Sequence, residues 1–214
     1  ISECLVGSEM CIRDSPDDAN KGTLGSLLCV CGSYGMAGAA VMSAKGALRT
    51  GIGLAKCALP RSIYPIVAQT ILESVYYPLS ENADGRISKV NVPFLVSESS
   101  KSSATLVGCG LGVCDDTLKI VFSLIENSTT PLVLDADALN CVAKQPEILL
   151  RKKAPIIITP HPGEMSRLTG LATPLVNAER ERVALDFTQK YGVVTVLKGA
   201  GTVIASPNGK VLVN

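Results

Sequence analysis

The chain has 214 residues, with 20 basic and 19 acidic side chains and a formal net charge of +1 at pH 7. That balance predicts no electrostatic pull toward nucleic acid or an anionic membrane, and no apolar run approaches the roughly 18 residues that a membrane span needs. A chain of this length buries roughly 70% of its unfolded surface, so it needs no metal or disulfide staples.

Ile1 to Ser15 shows no clear period and lacks the basic start and long apolar run of a secretory signal. Its string CLVGSEMCIRDS looks like translated sequencing-adaptor DNA, so residues 1–15 are expected to be a non-native or disordered leader. Leu27 to Cys31 is a continuous apolar run, as in a strand covered on both faces. Gly32-Ser33-Tyr34-Gly35-Met36-Ala37-Gly38 follows as a glycine-rich turn. Ala39 to Thr50 then reads as a helix with Ala40, Ala44, Ala47 and Leu48 on one face, ended by Gly51. Ile52 to Leu59 is a strand candidate closed by Pro60, and Ser62 to Thr70 a short helix. Ser80 to Ser103 is polar and reads as surface loop with one helical turn.

Thr105-Leu106-Val107 is a short strand running into Gly108-Cys109-Gly110-Leu111-Gly112. Asp115 and Asp116 can cap a helix with Leu118, Val121, Phe122 and Ile125 inward. Pro131 to Leu134 is a strand leading to Asp135-Ala136-Asp137, and a helix then runs until Pro146. Ala154 to Thr159 is a strand, and Asn177 to Tyr191 a helix with Ala184, Phe187 and Tyr191 on one face and Gly192 after it. Thr202 to Ser206 and Lys210 to Val213 flank Pro207-Asn208-Gly209, a hairpin signal. Alternating strands and helices followed by that hairpin predict an α/β fold: a mainly parallel sheet between helical layers, with an antiparallel edge.

Several strand ends carry loops of unusual composition. The G-x-x-G-x-x-G turn at Gly32 brings backbone N–H groups close to an anion, but fits neither the dinucleotide fingerprint nor a Walker loop; a tight turn with close packing is its competing reading. The Gly108–Gly112 turn has the same two readings. Asp135 and Asp137 follow a strand end two residues apart; one is expected to cap the next helix and the other to support the site. His161 is the single histidine. Flanking prolines stiffen it, and Glu164 follows at a helix start, which favours ligand binding over a purely structural role. In Lys198-Gly199-Ala200-Gly201-Thr202 the lysine can neutralise a phosphate, adjacent N–H groups can share it and Thr202 can add a hydroxyl; a hairpin with a solvated lysine is the alternative. Together these loops would line one rim of one sheet.

Cysteines stand at 4, 11, 29, 31, 57, 109, 114 and 141. They show no zinc-ribbon spacing, and several sit within apolar runs, where a thiol behaves as a small hydrophobe. A reduced, cytoplasmic compartment is favoured over disulfide pairing.

The ordered strings KGTLG, GSYGMAGAA, GCGLG, LDADALN, TPHPGEMSRL and LKGAGT resemble the ADP-dependent NAD(P)H-hydrate dehydratase family, a carbohydrate-kinase-like branch of the ribokinase-like fold. The likeness runs from about Pro16 to Asn214 and implies a three-layer α/β/α sandwich. It implies repair of hydrated NADH and NADPH (the S-epimer), with ADP driving removal of water to give AMP and phosphate, assisted by Mg²⁺. By motif, Ala39, Gly110 and His161 would contact the hydrated dinucleotide. Lys198, Gly199, Ala200, Gly201 and Thr202 would hold the AMP portion, with Asp137 and Glu164 as site support. Asn20 stands where the family often has His, and Cys109 replaces a usual Pro. The family continues into a G-G-x-G-D segment whose Asp is the expected general base; it would lie beyond Asn214, so residues 16–214 are expected to form a partial domain that does not turn over. A homo-oligomer, with a tetramer as one form, is implied as well. Rival readings are a kinase of the same fold acting on a vitamin-precursor alcohol, and a non-catalytic nucleotide sensor.

Overall fold

The computed structural model describes residues 23–214; the leader at 1–15, Asn20 and Lys21 lie outside the described residues. Strands β1 (Ser26–Val30), β2 (Leu54–Pro60), β3 (Val75–Leu79), β4 (Ala104–Val107), β5 (Leu132–Leu134), β6 (Ile156–Ile158), β7 (Val194–Leu197), β8 (Val203–Ala205) and β9 (Val211–Val213) form one sheet. Its order is β3-β2-β1-β4-β5-β6-β7-β8-β9. Pairing is parallel from β3 through β7, and β8 and β9 join antiparallel. The strands and final hairpin follow the apolar runs closely because a parallel sheet buried on both faces leaves few polar positions.

The helices are α1 (Ala37–Arg49), α2 (Tyr64–Thr70), α3 (Val92–Ser100), α4 (Asp115–Asn127), α5 (Asp137–Val142), α6 (Pro162–Thr169), α7 (Thr173–Ala178) and α8 (Arg180–Tyr191). On one sheet face, Leu28, Val107, Leu134, Ile158 and Leu197 pack with Leu95 of α3, Ile120 of α4, Leu139 of α5, Met165 of α6 and Phe187 of α8. On the other, Cys29, Cys31, Cys57 and Leu59 pack against Ala40 and Ala44 of α1, Val67 of α2 and the flanking Ile63 and Ile71. Alanines at the contact let α1 lie close to the strands. Farther along that second face, Leu106, Val133, Ile157, Val196 and Ile204 are only partly buried.

The structure departs from the sequence expectation in three places. The segment expected to be surface loop contains α3, whose inward Ser99 hydroxyl meets Thr105 at 2.9 Å and Ser128 at 2.7 Å. These partners satisfy a buried polar face that hides the helix from an apolar-period search. Strand β3 is an edge strand containing Pro78, a position where proline's missing N–H is tolerated. The helix expected over 177–191 is two helices separated at Glu179, whose backbone leaves helical geometry at φ −125° and ψ 42°.

Candidate functional site

The sheet order reverses between β1 and β4: β2 and β3 lie to one side of β1, and β4 through β9 to the other. In open α/β sheets, such a switch point leaves a crevice outside the strand carboxyl ends where ligands bind. Both glycine-rich turns meet there. Gly32 N donates to Cys109 O (2.8 Å), and Ser33 Oγ to Gly110 O (2.8 Å). The polar 80s loop buttresses the same turns: Tyr34 N donates to Gly85 O (2.9 Å), and the Arg86 guanidinium lies against Gly112.

A trough of about 630 Å³ opens from this crevice, between the flank of α1 and the sheet. Ala39, Cys109, Gly110, Asp135, Ala136 and Thr159 stand at its polar end, and Leu27, Ala47, Leu106 and Val133 line its apolar depth. Gly110 packs so closely on α1 that a Cβ there would lie 2.7 Å from the Ala39 Cβ. Two of the residues expected to contact a dinucleotide, Ala39 and Gly110, are thus direct neighbours.

Asp135 connects the trough to the other loops. Its Oδ1 accepts a 2.7 Å hydrogen bond from Lys198 Nζ. Partial burial pulls its carboxyl upward, but the Lys198 hydrogen bond and charge, helped by Thr159 Oγ1 and Ala136 N, hold it below the ordinary carboxylate value. Lys198 Nζ also lies 4.0 Å from Glu164 Oε2, and Lys198 N donates to Pro160 O (2.8 Å). The lysine read from sequence as free for a phosphate therefore carries an internal carboxylate partner.

His161 begins α6 as its N-cap. Its Nδ1 accepts from Gly163 N (3.0 Å) and Glu164 N (3.3 Å), while Glu164 Oε2 accepts from His161 N (2.8 Å). This reciprocal capping box satisfies backbone donors that the helix start would otherwise leave unpaired. It also fixes Nδ1 as the acceptor, so the ring's proton sits on Nε2, 3.4 Å from Glu164 Oε1. His161 has a structural role as well as a position beside Lys198 and Glu164.

Neither aspartate caps α5, because Ala136 occupies the N-cap position. Asp137 instead accepts from Gly112 N (2.8 Å) and Asn140 Nδ2 (3.3 Å), pinning the second glycine turn. Ala136 has φ 50°, a conformation costing about 1–3 kcal/mol for a residue with a side chain, and it separates the directions of Asp135 and Asp137.

Gly199, Ala200 and Gly201 turn away from the trough. Ala200 and Gly201 line a second cavity of about 500 Å³ with Arg180 and Val213. Thr202 Oγ1 donates within the loop to Gly199 O (3.1 Å), and Lys198 is the residue connecting this loop to Asp135. Arg180, which no sequence motif singles out, braces the loop by donating from Nη2 to Leu197 O (2.8 Å) and Gly201 O (3.2 Å). Its side chain fills the space a Cβ on Gly199 would need. Arg180→Ala is expected to speed amide hydrogen exchange at residues 199–201 about tenfold or more. Arg180→Lys should restore little, since a single ammonium lacks the planar fork.

Residues 27–214 match the family model described as NAD(P)H-hydrate dehydratase. The chain belongs to the NAD(P)H-hydrate dehydratase family. It is 39% identical, over 92% of its length, to the bifunctional NAD(P)H-hydrate repair enzyme Nnr of Thermofilum pendens, spanning 38% of that protein. It is 32% identical to the ADP-dependent (S)-NAD(P)H-hydrate dehydratase of Neisseria meningitidis serogroup B, over 92% of this chain and 64% of that one. The ADP/ATP-dependent NAD(P)H-hydrate dehydratase of Bacillus subtilis, crystallised with ATP and Mg²⁺, superposes with a TM-score of 0.76 at 29% identity, over 94% of this chain and 67% of that one. A ribokinase-like superfamily protein of Enterococcus faecalis superposes with a TM-score of 0.77 at 19% identity, over 94% of this chain and 66% of its own. The family's fold is ribokinase-like, a mainly parallel sheet with an antiparallel edge and flanking helices. The chain spans about four tenths of the bifunctional relative and about two thirds of the shorter ones. No helix among the described residues is long and apolar enough to cross a membrane.

Proposed function

We propose that this chain serves ADP-dependent dehydration of the S-epimer of hydrated NADH and NADPH, restoring the reduced cofactor and releasing AMP and phosphate. The observation that carries the reading is the chain of contacts Gly110–Ala39, Asp135–Lys198 and Lys198–Glu164–His161 along one rim, within a family whose relatives bear that activity in their names. Ala39 and Gly110 present a small-residue wall to the hydrated dinucleotide, and His161 is linked to it through the Asp135–Lys198–Glu164 contacts. Lys198 and the Gly199–Thr202 loop hold the AMP portion: the loop's glycines leave backbone N–H groups accessible to an anion, and Lys198 supplies the charge. Asp137 and Glu164 keep the glycine turn and the start of α6 in place. Phosphorylating the ring hydroxyl turns a poor leaving group into a good one, and the ring nitrogen lone pair then expels it.

Among the described residues, no group of three or more His, Cys, Asp or Glu side chains could hold a metal ion. In this reading Mg²⁺ enters with the nucleotide's phosphates. A cytoplasmic setting is supported by the free state of Cys29, Cys31, Cys57, Cys109, Cys114 and Cys141. A homo-oligomer would cover exposed apolar side chains such as Leu72 and Met42, and light scattering tests it.

Calorimetric titration with S-hydrated NADH and with ADP tests the assignment. Saturable binding of both is expected. Failure to bind the hydrate, with formation of a stable phosphorylated alcohol from ATP and a vitamin-precursor alcohol, would identify a kinase instead. His161→Asn keeps an N-cap residue and removes the ring. It should weaken hydrate binding about fivefold, roughly 1 kcal/mol, and leave ADP binding within a factor of about two; equal losses would remove His161 from the dinucleotide side.

A further inference from the structure

We propose that Cys31 and Cys109 form a peroxide-sensitive dithiol at the trough, whose oxidation to a disulfide fastens the Gly108–Gly112 turn to the end of β1. Cys29, Cys31 and Cys57 form a buried sulfur-rich layer under α1, and Cys109 packs against its edge. Cys109 is the partly exposed member and lines the trough. The backbones meet where Gly32 N donates to Cys109 O, one residue beyond Cys31.

The two thiols differ in a useful way. A hydrogen bond from the Cys31 thiol, helped by Ser43, holds the Cys109 thiol below its ordinary value despite burial and the opposing Asp135 carboxylate, whose Oδ2 lies 3.6 Å from Cys109 Sγ. The same contact and complete burial push the Cys31 thiol well up. A trough-lining sulfur whose thiol lies below its ordinary value, above a buried one pushed up, is the arrangement of an attacking and a resolving cysteine. Cys114 also lies below its ordinary value, but its sulfur is held by Thr117 Oγ1 at 3.3 Å and Asn82 Nδ2 at 3.8 Å.

Hydrogen peroxide is the oxidant. The Cys109 thiolate attacks one peroxide oxygen; the S–O bond forms, the O–O bond breaks, and hydroxide leaves to take up the proton released from the thiol. Sulfur loses two electrons and peroxide gains them. Cys31 then attacks the sulfenic sulfur. The S–S bond forms, the S–O bond breaks, and the departing hydroxide carries off the Cys31 proton as water. The sum is two thiols and one peroxide giving one disulfide and two waters.

The test treats the 214-residue chain with hydrogen peroxide and reads thiol labelling and peptide mass. The expected product is a linked pair of peptides containing Cys31 and Cys109, lighter by two hydrogens and restored by dithiothreitol. Cys31→Ala should instead leave a dimedone-reactive sulfenic acid at Cys109, and Cys109→Ala should show neither product. Melting curves of both variants confirm that they fold. A pair still fully labelled after Cys114 has oxidised overturns the inference, as does a Cys109 adduct that forms equally with and without Cys31 and never resolves. Oxidation should also weaken binding of S-hydrated NADH about tenfold, reversibly, and not in Cys31→Ala. That consequence rests on the proposed function, whereas the bond does not. A disulfide that forms in a protein blind to the hydrate defeats the functional reading alone. Hydrate binding by a protein whose pair stays reduced defeats the dithiol alone.

Discussion

Gly108→Ala is expected to destabilise the protein by about 4 kcal/mol, at the upper end of single-substitution effects. Gly108 ends β4 with φ 127°, a region that residues with a side chain rarely occupy. A Cβ built there would sit 1.8 Å from Asp135 O, 2.8 Å from Ala138 Cβ and 2.9 Å from Ala138 N. The obstacles are backbone and the root of a side chain, so no rotamer change relieves them. Either the β4 turn or the β5–α5 junction must move, and that junction carries both Asp135 and Asp137. For a protein of this size, the loss lowers the melting temperature by roughly 8–16 °C, measured by circular dichroism. Gly46→Ala supplies the contrast. Gly46 lies inside α1 with nothing within 4 Å of its built Cβ, so alanine should stabilise by up to about 1 kcal/mol through helix propensity. Equal melting shifts for the two would show that the turn is loose and that close approach of the β4 and β5 ends is not what Gly108 provides.

Lys198→Met is expected to cost ADP at least about tenfold in affinity, roughly 1.4 kcal/mol, and the fold about 1 kcal/mol. The two losses have different origins. The Lys198 and Asp135 side chains are 42% and 26% exposed, so solvent screens the pair and its removal costs far less than breaking a fully buried one. Affinity falls further because a carboxylate without its cation now faces the incoming phosphates. Adding Asp135→Asn removes that carboxylate. The double variant should regain most of the stability but not the ADP affinity, which needs the positive charge itself. Full recovery of both would make the lysine a structural counter-ion only.

Acid titration gives an independent check on the pair. The native Asp135 carboxyl lies below its ordinary value, so folding favours its charged form. Its contribution is complete above the unfolded value of about 3.9 and is lost as pH falls through the lower native value. Lys198→Met should flatten that segment of the stability profile, as read by urea unfolding between about pH 2 and pH 5.

The sequence on its own determined the order of strands and turns apart from the edge strand β3. Runs such as Leu27–Cys31 and Ile156–Ile158 can be buried on both faces, and each ends at Gly, Asp or Pro residues that stop a strand. It also placed the antiparallel edge, because Pro207-Asn208-Gly209 permits a tight reversal. The His161–Glu164 spacing was open to reading as a capping box, although a histidine is an unusual N-cap. Helix α3 was not legible, since its inward Ser99 looks like surface until Thr105 and Ser128 arrive to satisfy it.

Tertiary structure alone decided what each charged group does. Lys198 and Asp135 are 63 residues apart in sequence, and no local period links them. Arg180 reaches Leu197 O and Gly201 O across 17 and 21 residues. Ala136 takes a left-handed backbone that alanine does not favour, held there by the residues around it. Local sequence chooses strands and turns through short-range sterics and burial. Which side chain neutralises which depends on chain segments that meet only once the sheet has assembled, and that assembly turned a row of separate motifs into one rim.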